Sequence, residues 1–303
     1  MNRKNVLLVL ACYVMWGLQP LYWDLLAGFD SLFILANRIL WSVVFCVSVL
    51  AVRGELGKLK TVFADKKTMR FLAPAALFLL LDWGLFIWAV QSGHVLDTSM
   101  GYYMGPLVVF SLSLFLFHER CNKWQIVAIL FAVAGVLVSV FQFGRFPGMA
   151  IALCLAFAIY GALKKFAQVE PLVSIAAETL MMAPFALVFL LFFRMGDNGV
   201  GGVDLHAFLL LAASGAVTAM PMILYSLGVI HLPFYVLGFF QYISPSISLL
   251  CGLAMGETLS RDKLITFLFI WTGLTIFSLS TLKKAKAKEG TQEEAGAEEE
   301  ASA

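Results

Sequence analysis

Three ionisable residues, Arg38, Asp82 and Glu178, stand inside otherwise apolar runs of this chain. A charge at the centre of a bilayer costs about 2.5–3.5 kcal/mol on insertion scales, so each is a candidate for function. Glu178 lies about eight residues into its run and Arg38 holds the corresponding place in another, so the two opposite charges are expected to pair. Two roles fit that pair. Protonation of Glu178, or its contact with a substrate amine, would release Arg38 and favour one orientation; alternatively, the pair is structural, or both groups snorkel to headgroups. Asp82, about halfway along its run, suits a carrier whose site trades protons with either side. The plainer reading has it bonding a neighbouring helix or facing a water cavity with no part in turnover.

The elements that position these groups follow from composition. With 61% hydrophobic and 13% charged residues and a mean hydropathy of +0.90, the chain is too apolar for a soluble domain of 303 residues. Ten apolar runs, near 5–25, 31–52, 71–91, 96–117, 124–142, 147–167, 171–193, 206–229, 233–255 and 264–282, are each long enough to cross about 30 Å of hydrocarbon as a helix. They are apolar on every side, which excludes the alternating strands of a barrel. The first run is too long for a signal peptide, carries Trp16 and Trp23, and lacks a small-residue cleavage site, so it reads as a retained span. Cys12, Cys46, Cys154 and Cys251 fall inside spans and read as small packing residues; Cys121 falls in a polar loop.

Of the 21 Lys and Arg, sixteen fall in alternate loops together with both termini, four in the opposite loops, and Arg38 within a span. That asymmetry places both termini in the cytoplasm. Lys164 and Lys165 read as part of this topogenic signal.

The two halves repeat one another. Trp16-Gly17 falls on Tyr160-Gly161, Trp88 on Tyr225, His94 on His231, Pro106 on Pro245, Glu119 on Glu257 and Gly135 on Gly273. Five spans per repeat, an odd number, insert the copies upside down relative to each other, the arrangement many secondary transporters use for alternating access. The expected fold is all-α integral membrane, ten transmembrane helices as two inverted five-helix repeats over 1–142 and 147–282, with a disordered tail over 283–303 that is basic and then acidic. Pro106 and Pro245 are expected to break the fourth and ninth spans. Tyr102, Tyr103, Gln241 and Tyr242 would line the cavity between them, and Trp88 joins these binding candidates.

The Trp-Gly of the first span, Gly101-Tyr102-Tyr103-Met104-Gly105-Pro106 and His118-Glu119-Arg120 resemble the EamA type of the drug/metabolite transporter superfamily. Leu85-Phe86-Ile87-Trp88-Ala89-Val90, Glu178-Thr179-Leu180 and Gly238 to Pro245 resemble its RarD subgroup. The resemblance covers residues 5–282 and implies ten spans in two inverted repeats and transport of small metabolites or amphipathic drugs, with export favoured. One departure is Asp82, where the subgroup commonly has Asn before the Trp of the third span.

No Gly-x-Ser-x-Gly, His-Glu-x-x-His or paired-aspartate motif supports an intramembrane enzyme, and no filter-like segment or ring of charge supports a channel. A membrane scaffold would share the composition but has no need of matched breaks. The reading is therefore a carrier, a facilitative permease or scaffold being the alternatives. Its partners are a small-molecule substrate, the lipid bilayer and coupled protons. No cofactor, metal or nucleic acid is expected, and a homodimer is not required because one chain holds both repeats.

Overall fold

A computed structural model describes residues 3–91, 95–144, 146–192, 203–255 and 264–280. Among them every regular element is helical. The helices are α1 (Arg3–Asp24), α2 (Ser31–Val52), α3 (Leu56–Ala64), α4 (Lys66–Gln91), α5 (Val95–Phe115), α6 (Lys123–Phe143), α7 (Gly148–Ala167), α8 (Pro171–Phe192), α9 (Leu205–His231), α10 (Phe234–Gln241), α11 (Ile243–Ala254) and α12 (Leu264–Ser280). Eight helical segments are long and apolar enough to cross a membrane, α10 and α11 counting together as one. Two shorter apolar helices, Gly101–Phe115 and Leu264–Ser280, join them. The chain is a multi-pass membrane protein.

Local chemistry sets where these helices start and stop. Asp30 accepts from the N–H groups of Leu32 and Phe33 at the start of α2, and Asp204 accepts from Ala207 at the start of α9. Asn122 and Gln125 form a reciprocal capping box on α6. Each of these satisfies donors that a helix leaves unpaired in its first turn. Gly144 closes α6 in the left-handed conformation, φ 69°, where a side chain would be strained.

Contacts sort the helix ends into two groups. Lys58 of α3 donates to Glu170, just before α8, at 2.7 Å. Lys165, near the end of α7, reaches both Glu119 and the Leu232 carbonyl. These residues share the end of the bundle where α1 begins, the near end. At the far end, Leu26, Phe33 and Leu211 bury one another together with Trp23, Phe29 and Val203.

The main crossings are α1 on α9 and on α11, α4 on α7, α5 on α7, α2 on α8 and α9, and α5 on α10. Small residues make several of them close. A Cβ on Gly215 of α9 would strike the backbone of Trp41 and Ser42, and Ser42 Oγ donates to the Gly215 carbonyl at 3.1 Å. Gly135 of α6 faces Thr266, Phe269 and Ile270 of α12, while Gly273 of α12 faces Ala128 and Phe131 of α6. Such glycines let helix backbones approach, which is how helices associate where lipid removes the hydrophobic drive.

The structure corrects three expectations about the helices. Pro106 does not divide its span, because α5 runs unbroken from Val95 to Phe115. The span holding Pro245 does break, but at Tyr242, between α10 and α11, where the Tyr242 N–H bonds Phe239 three residues back. Proline has no N–H to give Gln241, so the interruption falls in the turn before it. The segment between α2 and α4, read only as a basic loop, contains helix α3, which buries Leu59 and carries Lys58 and Lys60. Cys12, Cys46, Cys154 and Cys251 are buried and unpaired, as expected of packing residues. Glu257, His94 and the tail over 283–303 lie outside the described residues.

Candidate functional site

Arg38 and Asp82 lie within electrostatic reach of one another. The Arg38 guanidinium carbon lies 4.2 Å from the centre of the Trp83 ring and 5.2 Å from that of Trp23. Its buried Nε has no hydrogen-bond acceptor. Asp82 acts on it through charge, yet the two make no ion pair. Tyr102 of α5 stands in the field of both. Half of the Tyr102 surface, 50%, is accessible, so Tyr102 is not part of the packed core. Trp88, farther along α4, is 53% exposed.

Beneath these polar groups lies a layer of rings. Trp16 meets Tyr13, Phe157 and Tyr225 at centroid distances of 5.4, 5.9 and 5.5 Å, and Tyr225 stacks on Tyr160 at 6.1 Å. The Tyr225 hydroxyl is buried without a partner. Gly161 makes room for it, since a Cβ there would strike that hydroxyl and the Phe234 ring.

On the near side of this layer the bundle is sealed. Glu178 of α8 is fully buried and accepts from Lys164 Nζ at 2.5 Å, Ser174 Oγ at 2.7 Å and Tyr160 OH at 3.0 Å. Lys164 also donates to Ser174 at 2.8 Å. A buried ion pair persists only when its remaining donors and acceptors are met in this way. Closer to the surface, Glu119 Oε1 accepts from Lys165 at 2.9 Å and from the Phe234 N–H at 2.8 Å, and Oε2 accepts from the Tyr235 N–H at 3.0 Å. A carboxylate at a helix N-terminus meets both the unpaired donors and the positive end of the dipole. Lys165 and Glu119 thus tie α7 and the α5–α6 loop to the start of α10.

The expected pair of Arg38 and Glu178 does not form. Arg38 is the eighth residue of α2 counted from the far end and Glu178 the eighth of α8 counted from the near end. At 1.5 Å per residue the two stand about 10 Å apart along the bundle. Lys164, assigned from sequence to topology, is the cation Glu178 takes instead. A sequence signal for it existed: Ser174 and Glu178 are one turn apart on α8, facing α7 across the three-residue turn that follows Ala167.

The cavity-lining set also divides. Adjacent residues on a helix point about 100° apart, so Tyr102 and Tyr103 cannot share a face. The Tyr103 ring packs on Phe267 of α12 at 5.4 Å. Tyr242 is buried with Ala132 and Ile270 and donates to the Tyr103 carbonyl at 3.2 Å. Both tyrosines are therefore packing residues between α5, α11 and α12. The Gln241 side chain lies against Gly105 and close to Cys154, where a Cβ on Gly105 would crowd it.

Charged and aromatic side chains at membrane depth, set above a layer of rings and buried ion pairs, are what a membrane transporter needs, and the sequence relationships place the chain in the drug/metabolite superfamily. The chain belongs to the EamA-like transporter family, whose pattern its residues 3–141 match. It is 38% identical to the uncharacterized transporter YojE of Bacillus subtilis, over 94% of this chain and 97% of that one. It is 36% identical to the protein RarD of Salmonella typhi, over 95% and 98%, and 35% identical to that of Escherichia coli, over 93% and 96%. A crystal structure 18% identical in sequence superposes with a TM-score of 0.72, covering 93% of this chain and 99% of the other, and so shares its fold. These relatives point to a transporter rather than an enzyme.

Proposed function

We propose that this chain is an alternating-access carrier of the inner membrane that exports small metabolites or amphipathic drugs, coupled to protons at Asp82. It comprises ten spans in two inverted repeats, 1–142 and 147–282, with both termini in the cytoplasm. The carrying observation is one-sidedness: Arg38, Asp82 and the half-accessible Tyr102 stand toward the far end, while the near end is locked by Lys164–Glu178 and Lys165–Glu119. An outward-facing state of a carrier has this form.

The packing supports the repeat. Exchanging corresponding spans turns the α4–α7 crossing into α9–α1, α5–α7 into α11–α1 and α2–α9 into α8–α4; all of these contacts occur. Crossings α2–α8 and α5–α10 map onto themselves, and Gly135 and Gly273 each face the other's helix. The near end carries Lys4, Arg53, Lys58, Lys60, Lys66, Lys67 and Arg70, which supports its being cytoplasmic.

The test is untargeted profiling of cytosol and medium in cells that lack or overproduce the protein, with Arg38→Gln and Asp82→Asn versions as controls. A compound that rises outside on overproduction and accumulates inside on deletion supports export. The opposite pattern indicates uptake. No difference across varied growth conditions sinks the carrier reading in favour of a scaffold.

A further inference from the structure

Arg38 presents an unusual combination: a cation at membrane depth, flanked by the rings of Trp23 and Trp83, with a buried Nε that has no acceptor and, among the described residues, no carboxylate in ion-pair contact. Tryptophan faces attract the guanidinium, by about 0.5–2 kcal/mol, but they accept none of its in-plane N–H bonds. A guanidinium presents those donors in a planar fork that matches a carboxylate. The missing partner is therefore a planar anion, and the accessible half of Tyr102 offers its body an aromatic face.

The second charge decides what accompanies that anion. Among the described residues, the titratable groups within electrostatic reach of Asp82 are Arg38 from α2, Tyr102 from α5, Cys154 from α7 and Tyr225 from α9. With Asp82 ionised and Arg38 protonated the empty pocket is neutral. A bound monoanion alone would leave one uncompensated negative charge at membrane depth, where charge is costly. A proton on Asp82 restores neutrality. A cationic ligand on Asp82 would instead lie in the field of Arg38, which repels it.

We infer that the pocket takes a flat-bodied organic monoanion, its carboxylate on Arg38 and its ring beside Trp83 and Tyr102, and that Asp82 binds one proton together with it. Arg38 is then the anion site and Asp82 the counter-charge the substrate displaces. The assignment rests on the carrier reading above and names the substrate class for the same site; because proton and anion bind together, export is then an electroneutral symport driven by the anion's own outward gradient.

The experiment uses the full chain in lipid nanodiscs, with benzoate, its neutral analogue benzamide and the cation benzylamine as probes. Tryptophan emission is followed during titration, because Trp23 and Trp83 flank the anion site. Proton uptake is read in parallel with an indicator dye in weakly buffered solution. Benzoate is expected to bind saturably with uptake of about one proton, and benzamide and benzylamine at least tenfold more weakly. Arg38→Gln should weaken benzoate at least tenfold and Arg38→Lys less, while Asp82→Asn should retain benzoate binding and take up no proton. All variants must elute as the wild type on size exclusion.

Equal binding of benzamide, benzoate binding indifferent to Arg38→Gln, binding without proton uptake, or no saturable response to any probe would each overturn the inference. Preferred binding of benzylamine, lost in Asp82→Asn, overturns it while leaving the carrier reading standing. Failure of the carrier reading shows separately, as unchanged metabolite profiles.

Discussion

Lys164 and Glu178 meet at 2.5 Å in the interior of the near half, with side-chain exposures of 3% and 0%. Neither charge has water to turn to, so each depends on the other.

Removing one partner should therefore cost far more than removing both. Glu178→Ala is expected to destabilise the protein by about 3–5 kcal/mol, while Lys164→Met with Glu178→Met recovers most of that loss. Thermal unfolding in detergent, followed by the helical circular dichroism signal, would test this. A double variant no more stable than the single one would contradict the account.

Glu119 fastens the near end by binding Lys165 and the first two N–H groups of α10 together. Glu119→Ala should cost about 1–2 kcal/mol as a lost helix cap and favour opening of that end. Cys12, buried on α1 against Pro221, reports on such opening. In a version with the other four cysteines replaced, its alkylation from the near side should speed up severalfold in Glu119→Ala. An unchanged rate would deny Glu119 any gating part.

Two tyrosines separate an accessible side chain from a packing one. Tyr102→Ala should reduce transport while leaving thermal stability nearly intact, since half of that side chain is already accessible. Tyr242→Ala should instead lower stability by about 3–5 kcal/mol, as for a large buried ring, because only 2% of Tyr242 is accessible. Transport per folded molecule alongside melting temperature distinguishes them, and reversed effects would mean the faces are misassigned.

Glycine substitutions offer a controlled contrast. Gly215→Ala drives a methyl into the Trp41 backbone, which has no rotamer by which to escape, so a loss of about 1–3 kcal/mol is expected. Gly57→Ala meets nothing within 4 Å on helix α3 and should stabilise it by about 0.5–1 kcal/mol through backbone entropy. Similar melting shifts in both variants would show that the α2–α9 crossing is looser than described.

The apolar runs by themselves determined the helices, because hydrocarbon leaves a chain no alternative to satisfying its own backbone bonds. Their boundaries agree with the structure to within a few residues from α1 to α12, and the matched glycines at 135 and 273 do meet each other's helices. Asp82 and Arg38 were legible as site candidates because a charge in an apolar run announces itself. Which charges pair was not legible. Counting eight residues along two spans placed Arg38 beside Glu178, but those spans are counted from opposite ends, and only the folded arrangement gave Glu178 to Lys164. The same holds for the tyrosines: adjacency in sequence grouped Tyr102 with Tyr103, whereas the 100° step between neighbours left one half-accessible and sent the other to α12. Span identity is set by composition over some twenty residues, whereas a site depends on depth and rotation, which the packing of other helices decides.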